Sequence, residues 1–273
     1  MFAPIGAIAP VASTVLATDI ARTAVGCLYA ELVLYPKPGL VSLVDNGSHT
    51  DMTAATFMRS LFALRHYFSA IFHAGRNNAS FARLRALGIA AEARMLHATV
   101  GINTHRGAIF SLGLLCAAVG RASAQGCTLT PASVRAVLLI CWGDALAAHA
   151  QGAGGAREEG ALGLPSVFEI GLPALRATLA AGRSMRHARI DALFALMAQI
   201  DDSNVSHRGG AVGAEAVRSG ARAFVTAGGT AQADWMAQAT ALHTRLIAAR
   251  LSPGGAADLL AASCFVHAVC GVA

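Results

Sequence analysis

Apolar residues in this chain recur at helical spacing almost everywhere and at strand spacing almost nowhere. Phe57, Leu61, Leu64, Phe68, Ile71 and Phe72 fall three and four apart, as do Ile190, Leu193, Phe194, Met197 and Ile200. Each set therefore lies on one face of a helix. No run alternates apolar and polar residues with β-branched enrichment. Asn46-Gly47, the one hairpin-like dipeptide, has flanks that do not alternate. The expectation is an all-α fold, a single multi-helix domain over 1–273 with roughly nine to eleven helices and its active site built from inter-helix loops.

The breaks between helices are chemically explicit. Residues 11–34 read as a first helix, stopped by Tyr35-Pro36-Lys37-Pro38-Gly39, where two prolines impose an extended loop. Residues 44–51 are polar turn chemistry running into the helix that carries Phe57. A third helix is expected over 81–96. Thr130-Pro131 is a cap with proline at the first helical position, opening a helix that runs to residue 150. Glycines then break the chain over 151–160, and two shorter pieces part near Gly171 and Pro173. Helices follow over 211–225 and 231–250, and Ser252-Pro253-Gly254-Gly255 opens the last one, Ser252 again a cap with proline at the next position, with Asp258 in its first turns.

With 55% hydrophobic residues the chain can bury a continuous core, and with 13% charged residues the few charges it has are informative. The net charge of +6 and pI near 9.4 suit an anionic small molecule. No basic block stands out and no aromatics interleave with the arginines, so a nucleic-acid partner is not expected. The six cysteines form no C-x-x-C pair and read as buried thiols of a cytoplasmic protein. Despite a mean hydropathy of +0.54, neither a signal peptide nor a membrane span is expected, because the apolar N-terminus lacks a basic region and contains Pro4, Gly6 and Pro10. Association into oligomers is left open.

Polar chemistry is concentrated at corners between these oily helices. Asp201-Asp202-Ser203-Asn204-Val205-Ser206-His207-Arg208-Gly209-Gly210 is the densest. Its closing glycines suggest a bend facing a ligand rather than regular helix. In Gly101-Ile102-Asn103-Thr104-His105-Arg106-Gly107, Asn103 or Thr104 can cap the next helix, whose N-terminus would then be a seat for phosphate oxygens. His105 and Arg106 would be cations in that first turn, a conflict with the helix dipole that a bound anion resolves. The other corners are 36–39, 49–51, 157–160 and 252–258. In a helical bundle such corners can converge at one end.

These corners resemble the triphosphoribosyl-dephospho-CoA synthase family. The resemblance runs from Glu31 to Leu260. It rests on Pro-Lys-Pro-Gly-Leu-Val at 36–41, His49-Thr50-Asp51-Met52, the 101–107 stretch, Ala156-Arg157-Glu158-Glu159-Gly160, Pro165-Ser166-Val167, the 202–210 stretch, and Ser252-Pro253-Gly254-Gly255 with Ala257-Asp258-Leu259-Leu260. Arg106 stands where the family commonly has lysine, and Tyr35 where it has threonine. The resemblance implies transfer of the 5-triphosphoribosyl group of ATP to the ribose 2′-hydroxyl of 3′-dephospho-CoA, with release of adenine. The product would be the prosthetic-group precursor for an acyl carrier protein, with malonate decarboxylase expected ahead of citrate lyase. A nucleotide or ADP-ribose glycohydrolase on a similar helical scaffold is the alternative. The missing Walker A motif agrees with chemistry at the ribose rather than at the γ-phosphate.

Site residues follow from what that reaction needs. Displacing adenine passes through an oxocarbenium-like sugar, so carboxylates should face it. Glu158 and Glu159 are assigned there, against a reading in which they pair with Arg157 at a helix end. Asp51 is assigned a catalytic part, against capping of the following helix. Lys37, Arg106, Arg157 and Arg208 are assigned to phosphates, and His49, Asn103, Thr104, His105, Asn204 and His207 complete the substrate-binding set. For His207 and Arg208, hydrogen bonds that merely fix the loop are the competing role. Mg²⁺ is expected with ATP, held by Asp202 and Glu158, and no tightly bound organic cofactor is expected. Asp258 could cap, pair or bind, Asp201 reads as a solvated helix end, and His243 reads as an ordinary helix residue.

Overall fold

A computed structural model describes residues 16–151 and 155–271, and among them only helices and connecting turns occur. The helices are α1 (Ala17–Leu32), α2 (Ala54–Arg76), α3 (Phe81–Ala98), α4 (Arg106–Ala124), α5 (Pro131–Ala150), α6 (Ala156–Ala161), α7 (Leu172–Ala180), α8 (Met185–Gln199), α9 (Ser203–Thr226), α10 (Trp235–Ala248) and α11 (Gly254–Cys270). Residues 11–15 of the expected first helix lie outside the described residues, as do Pro4, Gly6 and Pro10.

Local chemistry explains most boundaries. Thr53 caps α2 in a reciprocal pair with Thr56, and Thr130 does the same for α5 with Ser133, with Pro131 at the first helical position. Ser80 and Ser184 cap α3 and α8. The alternative role of Asp51 as a cap falls away, because Thr53 stands at the boundary. Two expectations are corrected. The chain does not part at Gly171 and Pro173. A π-helical turn, Ser166–Gly171, runs straight into α7, which tolerates Pro173 because the first helical amides need no intrahelical acceptor. The helix expected over 231–250 starts at Trp235, after a 3₁₀ turn at Gly229–Ala231.

Helix α4 and helix α11 form the centre. Both are apolar on nearly every side, and α2, α5 and α11 pack around α4 while α1, α7 and α8 pack around α11. Two glycines let α2 and α4 cross at backbone contact: a Cβ on Gly75 would fall 2.0 Å from the Ala117 carbonyl oxygen, and one on Gly120 2.2 Å from that of Phe72. One contiguous apolar core joins residues of all these helices. Helices α4 and α5 are long and apolar enough by length and composition to cross a membrane, and α4 is mostly buried within the protein. Cys27, Cys116 and Cys264 are buried free thiols as expected, whereas Cys127 is exposed.

Candidate active site

The corners between these helices open on one cavity of about 960 Å³. Every residue assigned from the sequence lines it: Lys37, His49, Asp51, Asn103, Thr104, His105, Arg106, Arg157, Glu158, Glu159, Asp202, Asn204, His207 and Arg208. They arrive from segments up to 171 positions apart in sequence (208 minus 37). Helices α4, α9 and α11 bring their N-terminal ends to the cavity, and α6 closes one side.

The floor is buried and acidic. Lys37 is 1% exposed and its Nζ lies 2.5 Å from Oε1 of Glu31, itself 6% exposed. Burial lowers the lysine's proton affinity, partly offset by that carboxylate. The loop carrying Lys37 is pinned by His243, whose Nδ1 is 2.8 Å from the Lys37 carbonyl oxygen while Nε2 is 3.0 Å from Asp45. His243 is thus not an ordinary helix residue. Nothing in the sequence linked it to a loop two hundred positions away.

Asp202 is a double cap. One oxygen accepts the Asn204 amide of its own helix at 2.9 Å, and the other accepts the Ala256 amide of α11 at 3.1 Å. Burial still raises its carboxyl above the usual range, with those amides pulling the other way. The capping expected of Ser252 is therefore supplied by Asp202, and Ser252 instead bonds His49 Nε2 at 2.8 Å. The 201–210 stretch is helical from Ser203, not a bend. The break comes at Gly210, where φ is 58° and ψ −159°, a conformation glycine adopts without strain. Asp201 is a solvated helix end paired with Arg218 at 2.5 Å.

The 101–107 stretch differs from expectation in two ways. Asn103 does cap, its Oδ1 accepting the Arg106 amide at 3.1 Å. His105, however, is 2% exposed, and burial followed by the charge of Lys37 lowers its pKa to about 3. It is a neutral imidazole with Nδ1 2.6 Å from Ser60 Oγ, so it adds no positive charge to the helix dipole. Its Nε2 and Thr104 Oγ1 are buried without a protein partner. The N-terminus of α4 is not an open anion seat either, since Asp258 approaches it from α11 and the Ala108 amide is directed at its carboxylate.

The rim is exposed and carries the remaining charges. Arg106 pairs with Glu92 at 2.5 Å, a partner the sequence reading missed. The Arg208 guanidinium reaches His49 Nδ1 at 3.1 Å and the Ser48 carbonyl oxygen at 3.3 Å. Burial first, then Arg208, lowers the His49 pKa, with Asp51 at 3.5 Å opposing. With Arg208 donating to Nδ1, the ring proton sits on Nε2 and is given to Ser252. The glutamate pair divides. Glu159 accepts the Ser166 hydroxyl at 2.5 Å and its amide at 3.2 Å, which holds the π-helical turn. Glu158 is exposed and makes no ion pair with Arg157 among the described residues. Arg157 and His207 are also exposed.

Comparison with known proteins identifies the family. The family model described as CitG, ATP:dephospho-CoA triphosphoribosyl transferase, matches residues 17–142 and 140–272. A probable 2-(5''-triphosphoribosyl)-3'-dephosphocoenzyme-A synthase of Azotobacter vinelandii is 41% identical over 92% of this chain and 91% of its own. The Klebsiella pneumoniae protein named 2-(5''-triphosphoribosyl)-3'-dephosphocoenzyme-A synthase is 38% identical over 92% of this chain and 95% of its own. A probable synthase of the same name from Acinetobacter calcoaceticus is 37% identical over 90% and 88%. No solved structure matches the chain. With the family model covering nearly all the described residues, the chain belongs to the ATP:dephospho-CoA triphosphoribosyl transferase family and is an enzyme of that class.

Proposed function

We propose that this enzyme transfers the 5-triphosphoribosyl group of ATP to the ribose 2′-hydroxyl of 3′-dephospho-CoA and releases adenine. The observation that carries the reading is the single cavity in which an acidic floor meets an arginine-bearing rim. An oxocarbenium-like sugar is stabilised by nearby carboxylates, and a triphosphate by guanidinium groups around the opening. Arg157 and Arg208 have exposed guanidiniums for the phosphates, with Arg106 held beside them by Glu92. Lys37 acts through its charge from beneath, since Glu31 already holds its ammonium.

Glu158 has an exposed carboxylate at the rim and serves the reacting sugar, with Asp51 lining the same cavity. Glu159 positions the 166–171 turn. Asn103, Thr104, His49, Asn204 and His207 supply hydrogen-bonding groups for the ribose and the base. His105 joins them, as a neutral imidazole.

No group of three or more His, Cys, Asp and Glu side chains could hold a metal among the described residues. That suits Mg²⁺, which is usually held by one or two carboxylates together with substrate phosphates. Of the two carboxylates assigned to it, Glu158 fits as a donor, whereas the oxygens of Asp202 already accept backbone amides. When bound, the ion would screen the triphosphate charge.

Mass spectrometry of the product formed from ATP, Mg²⁺ and 3′-dephospho-CoA tests the reading. The expected product is dephospho-CoA enlarged by one triphosphoribosyl group, with one adenine released per product. Adenine released equally fast without dephospho-CoA would establish the glycohydrolase reading instead. Downstream, we expect the malonate decarboxylase carrier protein to be the recipient. Competition between apo-carriers of malonate decarboxylase and citrate lyase checks it, and preference for the latter overturns it.

A further inference from the structure

Five carboxylates belong to the interior of this site or its supports, and four are committed. Glu31 is held by Lys37 at 2.5 Å, Asp45 by His243 at 3.0 Å, Glu159 by Ser166, and Asp202 by the amides of two helices. The fifth is Asp258, on the first turns of α11. It makes no ion pair among the described residues, and it lies deep beneath surrounding atoms while remaining partly open to the cavity it lines.

Its position depends on a neighbour with no side chain. A Cβ on Gly107 would stand 2.2 Å from Asp258 Oδ2, so the carboxylate can occupy this place only because α4 carries glycine there. The groups that face it are the Ala108 amide from α4, Glu31 from α1 and Asp202 at the start of α9. Burial first, then the charges of Glu31 and Asp202, push its carboxyl well above the usual carboxylate range. A carboxylate needed only to cap α4 would do so more cheaply without two like-charged neighbours. Raised proton affinity beside an open cavity is what a base working near neutral pH requires.

We propose that Asp258 is the general base of the transfer, accepting the proton of the acceptor 2′-hydroxyl as its oxygen attacks C1′ of ATP. This rests on the reaction proposed above. The O2′–C1′ bond forms, the C1′–N9 bond breaks, and its electron pair leaves with adenine. Adenine takes a proton from solvent, Asp258 returns its own to solvent after product release, and one proton has moved in net from hydroxyl to adenine. Glu158 stabilises the sugar cation from the rim and does not handle this proton.

The test is Asp258→Asn, which keeps an oxygen to accept the Ala108 amide and removes the base. Adenine release should fall by about 10²–10⁴-fold in kcat. KM for ATP should stay within about threefold and the acid limb of the pH–rate profile should disappear, with the thermal midpoint unchanged or raised. Gly107→Ala, which leaves the carboxylate but displaces it, should lower kcat at least tenfold with the acid limb retained. Asp258→Asn with kcat within about threefold of wild type overturns the proposal, as does an unchanged acid limb with lowered stability, the signature of a cap alone. If Asp258→Asn fails to fold, Gly107→Ala decides, and full activity there overturns the proposal. Wild-type protein that forms no triphosphoribosyl product overturns the reaction itself. A wild-type product that Asp258→Asn also makes, at a rate within about threefold of wild type, overturns only the role of Asp258.

Discussion

The floor and the rim of the cavity use the same residue types under opposite conditions. On the floor, Glu31, Lys37, Asp202 and His105 are nearly out of solvent, and each has a protein partner chosen by the fold. On the rim, Arg157, Glu158, His207 and Arg208 are exposed. A buried charge without its partner is costly, while an exposed one is nearly neutral for stability. Floor residues therefore set the stability of the site, and rim residues wait for a ligand whose charge they match. Changing the first group should be read in folding, and changing the second in binding and rate.

Lys37→Met should have the largest effect, because it strands Glu31 in the interior. A loss of about 3–5 kcal/mol in urea denaturation is expected. A loss below about 1 kcal/mol would place Lys37 with the rim instead.

His105 should reveal itself through pH. Its folded pKa lies below its unfolded one, so its neutral form is favoured in the folded state. The resulting stability is complete above pH 6.5 and is lost as pH falls toward about 3. Relative to His105→Asn, the wild-type chain should lose up to about 1.4 kcal/mol per pH unit across that window. Parallel curves for the two proteins would contradict its burial as a neutral ring.

On the rim, Glu158→Gln should lower kcat for adenine release by about 100-fold with an unchanged thermal midpoint. A wild-type rate would remove Glu158 from the chemistry. Arg208→Ala should weaken ATP binding by about tenfold, measured by titration calorimetry. It should also raise the His49 pKa, followed by NMR, because the guanidinium is one of the causes that depress it. Unchanged affinity with a shifted His49 would mean that Arg208 only fixes the loop.

Much of this was legible beforehand. Caps such as Thr130 with Pro131 act within four residues, so their chemistry is written locally. The polar corners were legible because few other residues in the chain are charged. Asp51, Glu159 and Ser252 were harder. Whether a carboxylate or hydroxyl caps the next helix or bonds a distant partner depends on what the fold brings beside it, and Ser252 found His49 from 203 positions away. The same holds for Asp202, whose second helix begins some fifty residues later.

By itself, the sequence determined the all-helical class, most of the helix ends and many of the polar residues that meet in the cavity, because helical periodicity and turn chemistry are short-range properties. Only the tertiary structure decided which of those residues keep their charge free for a substrate. Ionisation and hydrogen-bond capacity depend on burial and neighbours, and in this chain the neighbours of Lys37, His105 and Asp258 include groups brought in from other helices.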